Sequence, residues 1–303
     1  MHRATGSVIL SLSLPSAGLP LLHGQESRPP LELRRVASWA DGRLRESSGV
    51  AVSRRHAGLL WTHNDSGDGP NLYLADTTGV LRAIFEVAGA RNVDWEALAL
   101  GSCAPAQWRG RTCLYIADTG DNEEHRTRVV IYAVPEPESL PPGGPAQGLT
   151  QPAQALRLRY ADRPRDAEAL AALGAGRLAL VTKGRTGAVL RFDIPPEAWR
   201  QDDLTLAEAD TLPIVPQMTL GRWVTDAAAA PDGLHVVVRT YTEVYRFRVG
   251  DVRWVQAGPT CGIGLVEPQG EGVDFLDDGR LILTSEHARR MDGGVTLVRC
   301  DWN

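Results

Sequence analysis

One pattern recurs five times along the 303 residues, and it constrains the fold more than any other feature of the chain. Each copy opens with an acidic residue and a strand of small apolar side chains, turns, runs on in β-branched and aliphatic residues, and breaks at a polar stretch. The copies are ESSGVAVSRRHAGLLWTHNDSG from Glu46, EALALGSCAPAQWRGRTCLYIADTGDN from Glu96, EALAALGAGRLALVTKGR from Glu168, DAAAAPDGLHVVVRTY from Asp226 and EGVDFLDDGRLILTSEH from Glu271. A third strand follows each: NLYLADT, RVVIYAVP, AVLRFDIP, EVYRFRV and GVTLVRC. The starts are 50, 72, 58 and 45 residues apart, near the length of one four-stranded propeller blade.

The last copy ends at the C-terminus with three strands. LELRRVASWAD, ahead of the first copy, supplies the fourth, and its pairing there closes the ring and removes an exposed sheet edge. The chain therefore reads as all-β, a β-propeller of five four-stranded blades over 31–303. Six blades is the alternative, if the 72-residue interval with its Pro/Gly-rich PEPESLPPGGPAQGLTQPAQ hides a degenerate blade. A two-sheet sandwich would not produce five copies.

At 43% hydrophobic residues the chain can bury a large core, and a formal charge of -5 with both signs interspersed leaves no basic stripe for nucleic acid. Residues 1–24 have the layout of a signal peptide: His2 and Arg3, an apolar run from Val8 to Leu22, and a small-residue exit. The bland alternative is a disordered apolar leader. The run is too short and too broken by Ser11, Ser13, Pro15 and Pro20 for a stable membrane span, and 25–30 reads as a disordered linker. Four cysteines fit an oxidising compartment. Cys103 and Cys113 bracket a hairpin loop, leaving Cys261 and Cys300 as the other pair; four buried free thiols is the competing reading. These features predict a secreted or periplasmic monomer.

In a propeller the start of the innermost strand lies beside the end of its antiparallel neighbour. The opening acid and the polar break should then share one mouth of the central channel. This pairs Glu46 with Asp65, Glu96 with Asp118, Glu168 with Lys183, Asp226 with Arg239 or Thr240, and Glu271 with Glu286. The three acid-with-acid blades form one arc, joined by Asp68, Asp94 and Asp121. Lys183 and Arg239, with Arg185 and Arg222, form a cationic arc opposite. A hard cation such as Ca²⁺ suits clustered carboxylates, and Asp65, Asp118 and Glu286 are the expected ligands. The structural alternative is that the opening acids accept backbone N–H bonds from the next blade, and that Lys183 and Arg239 are inter-strand ion pairs. DTGDN at Asp118–Asn122 lacks the spacing and closing Glu of an EF-hand. His63 should face away from the mouth, as an ordinary satisfied histidine. No G-x-S-x-G is present.

The ordered motifs ESSGVAVSRRHAGLLWTHNDSGD, NVDWEALAL with LYIADTGDN, RDAEAL with VTK, VTDAAAAPDGLHVVVRTYTEVY, and PQGEG with LTSE resemble a group of uncharacterised bacterial secreted β-propeller proteins. They are similar, more distantly, to phytase-like and esterase-like propellers. The first resemblance implies the fold and export, the second calcium and phosphoester chemistry. The expected function is a binding module that takes a small-molecule or peptide ligand at the channel mouth. The alternative is a calcium-dependent hydrolase of phosphoesters or other esters, and a third reading is an interaction platform built on rim loops such as the Pro-rich one.

Overall fold

The computed structural model describes residues 26–140, 144–201, 203–288 and 290–303; the leader at 1–24 lies outside them. Five sheets stand around an axis, each lettered a to d from the axis outward. Blade 1 is Ser47–Val52, Leu59–Asn64, Asn71–Asp76 and Leu81–Glu86, and blade 2 is Trp95–Ser102, Thr112–Asp118, Val129–Pro135 and Gln154–Tyr160. Blade 3 is Ala167–Ala172, Leu178–Thr182, Leu190–Ile194 and Glu208–Thr211. Blade 4 is Val224–Ala229, His235–Thr240 and Glu243–Arg248, with Val255–Gln256 and Thr260–Gly262 sharing the d position. Blade 5 is Gln269–Phe275, Leu281–Glu286 and Gly294–Arg299, and its d strand is Glu32–Ser38 from the other end of the chain. The ring is five-bladed and closed as the repeats predict.

The 72-residue interval hides no sixth blade. Its Pro-rich loop sends Ala146–Leu149 back to pair in parallel with the d strand of blade 1. Blade 3 does the same to blade 2 with Asp203–Leu206. Ser27–Arg28, expected to be linker, pairs in parallel with Thr260–Cys261 at the edge of blade 4. Each of these short strands covers an outer edge whose open N–H and C=O groups would otherwise template association. The Pro-rich loop is thus committed partly to the fold.

Five apolar clusters fill the five spaces between blades. Between blades 5 and 1, for example, Trp39, Val50, Leu60 and Tyr73 meet Ile282, Val295 and Leu297. Small residues on the a strands let the blades approach at the axis. A Cβ on Gly49 would lie 2.3 Å from the backbone nitrogen of Leu98 in blade 2. Both disulfides form, Cys103–Cys113 across the a–b turn of blade 2 and Cys261–Cys300 between blades 4 and 5. The second closes a 39-residue separation, for which chain-entropy arguments give about 4 kcal/mol.

Ring closure is directly testable. Removal of residues 1–38 should lower the melting temperature by at least roughly 5 °C and promote concentration-dependent association. A peptide spanning 26–38 added in trans should restore the loss. A truncated chain that melts with the full-length protein and stays monodisperse would show that the closing strand is dispensable.

Candidate functional site

Every a strand carries a bulge at its channel-mouth end. Pairing with strand b slips between Ser47 and Val50, Trp95 and Ala97, Ala167 and Ala169, Val224 and Asp226, and Gly270 and Val273. One extra residue in a strand turns the following side chains to the opposite face. Aligned on these bulges, the equivalent residues are Ser48, Glu96, Glu168, Thr225 and Glu271. All five are buried.

Two further tiers follow from the same register. The residues preceding the pair at each bulge are Glu46, Asp94, Asp166, Trp223 and Gln269. One residue beyond the strand-b partner of that pair are Asp65, Thr119, Lys183, Tyr241 and Glu286. The three tiers hold eight carboxylates and one lysine.

Glu46 does meet Asp65 through its backbone carbonyl, and Asp226 does pair with Arg239, but the register corrects two alignments between copies. Glu46 is not the counterpart of Glu96; Ser48 is, and its hydroxyl donates to the Glu96 carbonyl at 2.8 Å. Glu46 stays exposed on the rim. In blade 4 the counterpart is Thr225, whose hydroxyl donates to the Glu271 carbonyl at 2.9 Å. Asp226, one residue on, is fully buried and accepts from the backbone nitrogens of Ala227 and Val273. It braces blade 4 to blade 5, which is the structural alternative set out for the opening acids. Asp274 does the same from blade 5 to blade 1 through Val52.

The expected cationic arc reduces to one residue. Arg239 has no exposed surface; its guanidinium donates to the Gly272 and Thr284 carbonyls and pairs with buried Glu267. Arg222 forks onto Glu243 at 2.7 and 3.0 Å. Arg185 lies on the rim, bonded to Asn122 and 5.7 Å from the ring centre of Trp223. Lys183 alone reaches the mouth, its Nζ 2.5 Å from Glu168 Oε1.

The expected metal set of Asp65, Asp118 and Glu286 is divided. Asp65 meets Asp94 and Glu96, each offering one carboxylate oxygen within 4.8 Å of the others. Glu96 also belongs to a second group with Asp166 and Glu168. Asp118 is instead engaged by Arg126 at 2.8 Å and by the backbone nitrogen of Asp94. Asp121 accepts from His125 and Arg126 N–H groups. Asp68 is bonded to Tyr73 and Asn64 at the rim of blade 1. Glu286 stands beside Glu271.

Gly120 makes the convergence of Asp94 and Glu96 feasible. A Cβ there would sit 2.2 Å from Glu96 Oε1 and 2.5 Å from Asp94 Oδ2. Asp166 was not among the residues expected from sequence. It is 3% exposed, one oxygen accepts from Asp121 N–H, and the other has no hydrogen-bond partner. The signal for it is the shared spacing Asp-x-Glu-Ala-Leu at Asp94–Leu98 and Asp166–Leu170.

Packing acids this closely away from water favours their protonated forms. Burial, then the charges of Glu271, Asp65, Glu46 and Glu168, push Glu286 up to about 10. Burial raises Glu271 to about 7 against the pull of Lys183. Burial and Asp65 raise Asp94 to about 6. Glu96 is raised well above the usual range by burial, Glu168 and Asp65. Burial favours the neutral form of Lys183, but Glu168, Glu96 and Asp166 outweigh it and hold the ammonium charged. Hard oxygen donors converging in both groups, with the unpartnered Asp166 oxygen in the second, suit an oxygen-seeking cation.

His63 faces away from this mouth, as alternation predicts. It is fully buried against Trp95, ring centres 5.5 Å apart, and Nδ1 is bonded to the Asn64 carbonyl.

No family model matches the chain, and no curated protein matches it. Solved structures do match in architecture. A gluconolactonase from Xanthomonas campestris is 14% identical, with 91% of this chain and 88% of that one covered at a TM-score of 0.45. The soluble aldose sugar dehydrogenase from Escherichia coli is 11% identical, with 89% and 99% covered and a TM-score of 0.48. Streptogramin B lyase is 12% identical, with 88% and 98% covered and a TM-score of 0.42. The protein is a five-bladed β-propeller, and these distant propellers say nothing further about its site. Among the described residues no helix is long and apolar enough to cross a membrane.

The buried histidine generates a pH prediction. Burial lowers His63 from 6.5 to about 4. An unfolded chain takes up that proton below pH 6.5 while the native state does not, so acid destabilises the fold between pH 6.5 and 4. The full effect is about 3 kcal/mol. Urea unfolding across that range should show a shallower loss in His63→Phe than in the wild type, and equal slopes would contradict the assignment. The mouth carboxylates, with raised values, act in the opposite sense and cancel in the comparison.

Proposed function

We propose that the protein is a binding module whose channel mouth holds a divalent cation of the calcium class and, through that cation and Lys183, a small anionic ligand. The observation that carries this reading is the convergence of Asp65, Asp94 and Glu96, with Asp94 and Glu96 packed against Gly120. A hard cation of this kind takes six to eight oxygens at roughly 2.3–2.6 Å. Asp65, Asp94 and Glu96 supply the first of these and water the rest. Glu168 holds the Lys183 ammonium beside the site, where an anion bound to the cation would meet it. The setting is extracytoplasmic, where disulfides persist.

At about 100 times its dissociation constant, calcium should stabilise the protein by about 2.7 kcal/mol, which is on the order of 5 °C for a domain of this size. Glu96→Gln and Gly120→Ala should each abolish the shift. Binding at pH 7 should also release protons from the raised carboxylates, measurable by calorimetry in PIPES and in Tris. A melting temperature indifferent to millimolar calcium removes the metal from the account.

A second reading is hydrolysis of a phosphoester, or of a lactone or other ester, at the same mouth. The position of Lys183 beside the carboxylate groups favours it, because an ester's oxygens would meet both cation and ammonium. When bound, the cation would polarise the substrate and lower the pKa of a water. With p-nitrophenyl phosphate and calcium, Asp65→Asn and Lys183→Ala should each lose at least roughly 100-fold in rate. Equal rates in the wild type and both variants would leave the binding module alone standing.

A further inference from the structure

The other end of the channel differs from the carboxylate mouth in shape and chemistry. There the a strands leave an open hollow of about 250 Å³ to which all five blades contribute. Small side chains make much of its floor and walls, with Leu98, Ala99, Ala172 and Ala227–Ala230 prominent beside the polar groups of Ser102, Thr112 and Asp274. The sequence places alanine where leucine or valine would have filled the space, just as its small residues let the blades approach.

Two cationic or donor groups stand at the edge of this hollow. Arg54 lines it, is exposed, and has no hydrogen bond or ion pair among the described residues. Asp274, which also lines the hollow, feels its charge. Both oxygens of Asp274 accept backbone N–H bonds, from Val52 at 2.6 Å and Phe275 at 2.7 Å. That carboxylate is therefore oriented by the backbone and not by the arginine. His235 lies on the same edge with Nδ1 2.6 Å from Asp232 Oδ2. The same nitrogen lies 3.2 Å from Arg246 Nη2, so the ring is held between Asp232 and Arg246.

We infer that this hollow is a binding site for a short aliphatic carboxylate, with the apolar chain against the alanine wall and the carboxylate on Arg54. The unpaired Arg54 guanidinium selects the anion, because it presents paired donors matched to a carboxylate. Small-molecule sites commonly set apolar surface beside a few directed polar groups. The volume admits a molecule of roughly ten heavy atoms. The inference does not depend on the cation at the opposite mouth, which lies at the other end of the same strands.

Octanoate, octylamine and octanol are the probes, each titrated by calorimetry into the full-length mature protein. Octanoate should bind with a dissociation constant of roughly 10 µM to 1 mM, and the amine and alcohol at least tenfold more weakly. Arg54→Gln should weaken octanoate at least tenfold without altering the melting temperature, because Arg54 makes no bond the fold uses. Ala229→Leu, which fills the hollow, should abolish binding. If it also unfolds the protein, chemical-shift perturbation by octanoate in the wild type, confined to Arg54, Ala172 and Ala227–Ala230, serves in its place. Octanoate that does not bind, binds Arg54→Gln equally well, perturbs other surfaces, or is matched by octylamine would overturn the inference.

Discussion

The antiparallel pairing of Glu32–Ser38 with Gly294–Arg299 is the contact on which the rest of the molecule depends. It joins the two ends of the described chain in one sheet, so the five blades close with no gap at the seam. A closed ring fixes the distance of each a strand from the axis, and the apolar clusters between blades then resist any change in that distance. Cys261–Cys300 links blade 4 to blade 5 covalently beside that seam, and Ser27–Arg28 caps the edge of blade 4. Closure also brings the ends of five a strands, which are far apart in sequence, to one small opening.

What the opening contains is a consequence of the bulges. A regular pleat would alternate side chains between the channel and the space between blades. The bulge instead places Glu96, Glu168 and Glu271 at equivalent positions around the axis, while Asp226 and Asp274 next to their bulges become braces to the following blade. Ser48 and Thr225 at the same tier spend their hydroxyls on neighbouring carbonyls. The ring thus separates its polar residues into those that satisfy backbone groups and those left facing one another. The second set is costly: carboxylates crowded in a poorly hydrated place either hold protons or attract a cation. Lys183 offsets part of that repulsion at Glu168. None of the three carboxylates Asp65, Asp94 and Glu96 is paired with a lysine or arginine among the described residues.

The repeats and the closing strand were legible in the sequence, because each follows from periodicity or turn residues; parity suggested two disulfides but left their connectivity open. The site was legible only to within a residue or two. Alternation arguments assume an unbroken pleat, and a one-residue bulge defeats them: Glu46 was aligned where Ser48 stands, and Asp226 where Thr225 stands. Arg239 illustrates a different limit. Its position in the copy is the one inferred, yet its charge is consumed by Glu267, a residue outside every repeat motif and visible only once blades 4 and 5 are packed. Asp166 could have been found, since Asp-x-Glu-Ala-Leu occurs in both blade 2 and blade 3. The early contact of Ala146–Leu149 with blade 1 could not, because parallel pairing between neighbouring blades leaves no local pattern.

The central claim is that bulged a strands in a closed ring assemble one cation position from blades 1 and 2. Diffraction from a crystal soaked in a lanthanide chloride, collected at the metal's absorption edge, tests it most directly. The account predicts an anomalous peak within about 2.6 Å of carboxylate oxygens from Asp65, Asp94 and Glu96, absent in Glu96→Gln. A mouth without a peak, with lanthanide bound only at surface acids, would contradict it.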